Sequence, residues 1–202
     1  MANTKPLHIA IGTVMYTLLF AEAGGGIIDR DQDTKCGGIE RWNIKVVTDD
    51  ATKDIKTKFK TTTIGEMNSI NTDGYDIKGK TERQDIEKQV YTIKNCFITK
   101  AILESDNDLH LVIEDGNKRT MIVEIPDPNC PEVKKSEFYE DIQTARRVFL
   151  ESQNYYQNYR WNITGILFID KQHTKPPTGS AENNIELHPI IGLEKIGKKF
   201  NY

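Results

Sequence analysis

Three apolar runs separated by turn-forming residues occupy positions 90–125. Residues 90–104 are rich in Val, Ile, Tyr, Phe and Thr; residues 109–114 form a second apolar run, and residues 119–125 a third. β-Branched and aromatic residues in such runs predict strands. Between them, Ser105-Asp106-Asn107-Asp108 and Asp115-Gly116-Asn117-Lys118 supply the Asp, Asn and Gly that tight turns require. The pattern therefore predicts an antiparallel meander. An even-numbered second loop would set Glu114 across from Arg119 and His110 across from Val123.

Downstream, Pro126, Pro128 and Pro131 end the third strand in a stiff loop. Ser136 then opens a helix: Glu137, Glu140 and Asp141 follow it, where acidic side chains complement the helix dipole. Phe138, Ile142, Ala145, Val148 and Phe149 recur at three- and four-residue spacing and predict one buried face. Residues 161–169 read as a fourth strand. The Pro- and Gly-containing stretch 174–183 leads to a fifth at 185–196, with Pro189 at an edge or bulge.

Upstream the pattern is weaker. In residues 39–48, Trp42, Ile44 and Val46 alternate with polar neighbours, the period of a half-buried strand. Residues 49–84 are rich in Thr, Lys, Asp and Gly; a short helix is expected near 54–59, followed by an irregular insertion. Strand, three-stranded meander, helix, strand, strand matches a five-stranded oligonucleotide/oligosaccharide-binding (OB) barrel, whose helix follows its third strand, with residues 39–48 pairing outside the barrel or serving as part of its first strand. The expected fold is thus mainly β with one main helix, an OB-like antiparallel barrel, with an α+β sandwich as the alternative.

Composition sets limits. The chain has 202 residues, is 37% hydrophobic and carries a net charge of -3, so there is no global basic field to favour strong non-specific DNA binding. Residues 9–20 are apolar, follow Lys5 and His8, and end at Ala21-Glu22-Ala23. That is the order of a secretory signal with a small-x-small cleavage site. The organisation read from this is a signal peptide at 1–23, a flexible tether at 24–38 and a single OB-like domain at 39–202. The mature chain is expected to be secreted or periplasmic, monomeric and without a transmembrane segment. Three cysteines remain, Cys36, Cys96 and Cys130. Cys96 falls inside a predicted strand and reads as a small buried residue. Cys36 and Cys130, in loop segments, are the candidate disulfide.

The segments Asp108-Leu109-His110-Leu111-Val112-Ile113-Glu114-Asp115, Thr120-Met121-Ile122-Val123-Glu124-Ile125-Pro126 and Asn183-Asn184-Ile185-Glu186-Leu187-His188-Pro189 resemble those of a family of uncharacterised exported bacterial proteins. The resemblance, which extends to Glu40-Arg41-Trp42, implies export and a barrel-like order of elements. It implies no particular activity. Lys175, Pro176 and Pro177 stand where that family would be expected to have a more Gly-rich loop.

Candidate chemistry is sparse. Asp108, His110 and Glu114 alternate on one strand, and Glu124 and Asp127 lie at the end of the next; together they could hold a divalent cation or do acid-base work. Their alternative role is an outward, solvated strand face. Glu186 and His188, with Asn184 beside them, share one face of the fifth strand, an arrangement in which a carboxylate can orient an imidazole. Tyr155, Tyr156, Tyr159, Arg160 and Trp161 combine rings and positive charge, as binders that stack bases or sugars do; the alternative is a helix end packed on the barrel. Asp29, Asp31, Asp33 and Glu40 have calcium-loop spacing, but the glycine position holds Thr34.

The ligand-binding candidates are His110, Glu124, Asn184, Glu186, His188, Tyr156 and Trp161. The sequence offers no nucleophile motif and no phosphate-binding loop. It favours an exported, non-catalytic binding module with no cofactor, whose ligand is an oligosaccharide, a nucleic-acid strand or a protein. The alternative is a nuclease-like, metal-assisted hydrolase using a divalent cation.

Overall fold

The computed structural model describes residues 28–29, 36–38, 41–75, 82–173 and 175–198. Its elements in chain order are β1 (Ile28–Asp29), α1 (Trp42–Lys45), β2 (Lys56–Thr62), α2 (Ile64–Asn68), β3 (Gln89–Leu103), β4 (Leu109–Glu114), β5 (Thr120–Ile125), α3 (Tyr139–Glu151), β6 (Tyr159–Ile169) and β7 (Ile185–Lys198). Strands β3, β4, β5, β7 and β6 pair in that order, and β6 pairs back onto β3, closing a barrel of five strands. Strands β1 and β2 attach to β3 outside the ring. With α3 between the third and fourth barrel strands, this is an OB-like barrel. No helix among the described residues is long and apolar enough to cross a membrane.

Four of the five seams are antiparallel. The fifth, β5 with β7, is parallel, so the barrel is mixed where an antiparallel one was expected. After β5 the chain leaves through α3 and returns up β6, and β7 then enters beside β5 running the same way. A parallel neighbour needs such a long crossover.

The meander forms as the alternation predicts, with one difference in register. Glu114 lies opposite Thr120, and His110 lies opposite Glu124 rather than Val123. The second turn has an odd number of residues: Asp115 stays in it and accepts hydrogen bonds from the Asn117 N–H and from the Arg119 backbone and Nε. Lys118 takes a left-handed conformation there, with φ 66°. Since side chains alternate across a sheet, a one-residue slip would have turned Glu124 into the barrel and Val123 out of it.

The upstream expectations fail in two places. Residues 41–48 form no strand; they fold into α1 and a tight turn that buries Ile44, Val46 and Val47. A short apolar run does not distinguish a strand from a buried turn, and polar anchors decide here. Arg41 makes a two-pronged ion pair with Glu87 at 2.6 and 2.7 Å, and Arg83 binds both Asp49 and the Ile44 carbonyl. Residues 56–62 are a strand, β2, where a helix was expected at 54–59. Its Lys and Thr side chains are almost all exposed and leave no apolar stripe to read. The helix in this region is α2, opened by a capping box between Thr63 and Glu66.

Inside the ring, the core takes Leu109, Leu111 and Ile113 from β4, Met121, Val123 and Ile125 from β5, and Ile185 and Leu187 from β7. Ile142, Ala145 and Phe149 of α3 join it, and Arg146 donates to the Ile125 carbonyl. Ser136 accepts from the Phe138 N–H just before that helix. Pro189 falls at a bulge between β6 and β7, where Gly165 lets the strands approach so closely that a Cβ would lie 2.9 Å from the Pro189 carbonyl oxygen. Cys36 and Cys130 form a disulfide, and Cys96 is a buried free thiol. The expected signal peptide lies outside the described residues. Within the expected tether, Ile28–Asp29 pairs with β3.

Candidate metal centre on the outer barrel wall

Because odd-numbered residues of β4, of β5 and of β7 up to Leu187 point into the core, their even-numbered neighbours point out. Cross-strand register then sets three of these in a row. His110 on β4 lies opposite Glu124 on β5. The parallel seam pairs Ile122 with Glu186 and Val123 with Leu187, which brings His188 level with Glu124. Two residues back along β4 and β7, Asp108 and Glu186 flank the row. Glu104 completes it at the end of the first hairpin.

The row does not face water. Asp108, His110, Glu124, Glu186 and His188 are all buried, whereas the side chain of Glu104 is 35% exposed and marks the edge toward solvent. From α1, Lys45 reaches over the wall and puts its ammonium 3.6 Å from Glu124 Oε2. Phe168 forms one side, edge-on to His188 with centroids 5.8 Å apart, and carries Arg41 and Lys45 over its ring. The α1 turn that sequence reasoning took for a strand is therefore the cover of the cluster.

The contacts form a chain of alternating carboxylates and imidazoles. Asp108 Oδ2 is 3.2 Å from His188 Nε2, and His188 Nδ1 is 2.8 Å from Glu124 Oε2. Glu124 Oε1 is 2.9 Å from His110 Nδ1, which is 3.4 Å from Glu104 Oε1. Only the Glu124–His110 contact is an aligned hydrogen bond. Both nitrogens of His188, both oxygens of Asp108, His110 Nε2 and Glu186 Oε2 are buried without an aligned partner among the described residues. Of these, Asp108 Oδ1, His110 Nε2 and Glu186 Oε2 face no carboxylate or imidazole partner, and leaving a buried polar atom unpaired costs about 1–3 kcal/mol.

Charge is distributed unevenly. Burial would by itself raise the Glu124 pKa, but Lys45, His188 and His110 outweigh it and hold the carboxyl well below its ordinary value. An ionised carboxylate only accepts, so His110 Nδ1 donates to it. Burial pushes Glu186 well above its ordinary value, with repulsion from Glu124 and Asp170 adding to the rise. Asp108 and Glu104 are raised by burial too. Burial opposes a charge on either imidazole, yet the facing carboxylates raise both.

Of the residues singled out from sequence, His110, Glu124, Glu186 and His188 converge here. Asn184 does not: it lies just before β7 with φ 55°, and its backbone carbonyl accepts from the Asp170 N–H. Tyr156 and Trp161 are 2% and 0% exposed, and the Trp161 indole donates to the Tyr156 carbonyl. They are core residues, not a stacking surface, because β6 turns Trp161 inward with Ile163. Glu114 pairs with Lys118, and Asp127 accepts from Asn129 in a turn. The calcium-loop spacing lies outside the described side chains.

Sequence reasoning missed Lys45 and Phe168. Nothing local marks them, since each reaches the cluster through tertiary packing. Asp108 and His110 were legible as an alternating pair.

Two sets of three side chains have ligand atoms within 4.8 Å of one another: Asp108, Glu124 and His188, and Glu104, His110 and Glu124. Fold and cluster together define an OB-like barrel with a buried histidine-carboxylate centre on its outer wall. No protein-family model matches the chain, and no curated protein matches it.

Proposed function

We propose that this is an exported, non-catalytic binding module whose ligand is a divalent transition-metal ion, held by Asp108, Glu124 and His188. The observation that carries this reading is the convergence of those three buried side chains, whose ligand atoms lie within 4.8 Å of one another. An imidazole with two carboxylates suits Zn2+, Co2+ or Mn2+, whereas Ca2+ and Mg2+ prefer all-oxygen sets. Binding would replace the proton on one His188 nitrogen with the ion. Export is supported by the apolar stretch at 9–20 ahead of Ala21-Glu22-Ala23 and suits a chain with a disulfide. A long ligand laid on the outer face of β4 and β5 is not favoured, since Val112, Ile122 and Glu124 there are covered.

The test is to strip the protein with a chelator, reload it with Zn2+, Co2+, Mn2+ or Ca2+, and measure bound metal and heat of binding. Saturable binding of a transition ion, lost in His188→Ala, is expected. Absence of saturable binding for every ion would sink the reading.

A metal-assisted hydrolase is the second reading. It is favoured by Glu186, a buried carboxyl with an unpartnered oxygen beside the ligand set. Intact plasmid DNA after incubation with the Mn2+- or Zn2+-loaded protein would count against its nuclease form.

A further inference from the structure

Resting on the metal-binding reading, we propose that the cluster holds two divalent ions bridged by Glu124, the second bound by Glu104, His110 and Glu124. Glu124 has the geometry of a bridging carboxylate, because its oxygens serve different imidazoles: Oε1 is 2.9 Å from His110 and Oε2 is 2.8 Å from His188. Glu124 is shared by both three-residue sets, with Asp108 completing one and Glu104 the other. The second set is more than a group of acids. His110 is 3% exposed, and the Nδ1 it offers is 2.9 Å from Glu124 Oε1 and 3.4 Å from Glu104 Oε1.

The second set also lies nearer solvent, since Glu104 is the partly exposed member. An ion there can exchange while the one beside Asp108 stays enclosed.

The experiment uses the full, disulfide-intact chain loaded with Mn2+ and freed of excess metal by dialysis. Elemental analysis should give two ions per chain, one per chain in His110→Ala, and an exchange-coupled electron paramagnetic resonance spectrum for the unmodified protein. One ion per chain in the unmodified protein would overturn this inference and leave the single-ion reading standing. No bound ion would overturn both. Two ions in both proteins would place the second ion elsewhere and also overturn it. Should His110→Ala fail to fold, the spectrum of the unmodified protein decides: coupled ions support the bridge, and magnetically isolated ions refute it.

Discussion

Lys45 lies 3.6 Å from Glu124, and this contact joins the α1 turn to the centre of the polar row on the barrel wall. The ammonium is a built-in cation. Burial would lower its pKa, but Glu124, Glu186, Asp170 and Asp108 outweigh that and keep it above its ordinary value. It therefore stays charged and opposes any metal ion that shares Glu124. Replacing it with an uncharged chain of similar length removes the competitor.

Lys45→Met should accordingly tighten Zn2+ or Mn2+ binding. Opposite charges about 4 Å apart interact by up to about 4 kcal/mol near a protein surface, and part of that gain is lost to rearrangement. An increase in affinity of about tenfold, or about 1.4 kcal/mol, is the expected result. It would be read by competition with a coloured chelator. Unchanged or weaker affinity would show that Lys45 does not compete with the ion.

The cover over this cluster depends on the buried pair Arg41–Glu87. Glu87 accepts two bonds from Arg41 and one each from the Gln84 and Ile169 N–H groups. Breaking a buried pair by removing one partner costs about 3–5 kcal/mol. Glu87→Ala should lower the unfolding free energy by about that amount in a denaturant titration. A loss below about 1 kcal/mol would mean that the pair behaves like a surface ion pair.

What the sequence made legible depended on burial. Strands β3 to β5 are runs rich in β-branched and apolar residues broken by turn residues, and helix α3 buries one face, so composition, period and turn residues located them. The site was half legible: His110, Glu124, Glu186 and His188 could be named from alternation. Their meeting could not, because it needs the odd-length turn at Asp115 and the parallel β5–β7 seam. Residues 41–48 misled because Ile44 and Val46 are buried in a turn as fully as a strand would bury them. Strand β2 was invisible because its lysines and threonines face solvent, and α2 was overlooked although Thr63 and Glu66 carry a readable cap.

The disulfide joins Cys36, close to the cover, to Cys130 in the loop after β5, across a sequence separation of 94 residues. A bridge that closes so long a loop restricts the unfolded chain, with a typical contribution of about 2–4 kcal/mol. Replacing both cysteines with serine should reduce stability by about that much. Gly38 approaches Asp106, next to the cluster, so faster metal exchange is expected as well. Equal exchange rates in the two proteins would separate the bridge from the site.

Metal binding should also depend on pH. Burial disfavours a charged His188, but Glu124 and Asp108 more than compensate, so its pKa lies above the ordinary value of about 6.5. The group thus keeps its proton to higher pH than a free imidazole, and an ion must displace it. Affinity should fall as pH drops through that raised value, with proton release on binding measurable by calorimetry in buffers of different ionisation heat. Binding that is independent of pH between about 6 and 8 would mean that His188 is not a ligand.

Trp161 and Tyr156 allow the core and ligand roles to be separated. Trp161 is enclosed among barrel residues and its indole is satisfied by the Tyr156 carbonyl, while the Tyr156 ring packs at 5.4 Å from Phe149 of α3. Truncating either side chain removes a large buried volume and, for Trp161, a hydrogen bond as well. Trp161→Ala should therefore cost about 3–5 kcal/mol of stability, and Tyr156→Phe, which keeps the ring, far less. Neither residue approaches the outer-wall cluster, so a folded Tyr156→Phe protein should bind the same number of metal ions with the same affinity. Altered metal binding in that variant would connect the α3 end of the core to the site, contrary to the separation seen between the inward and outward faces of β6.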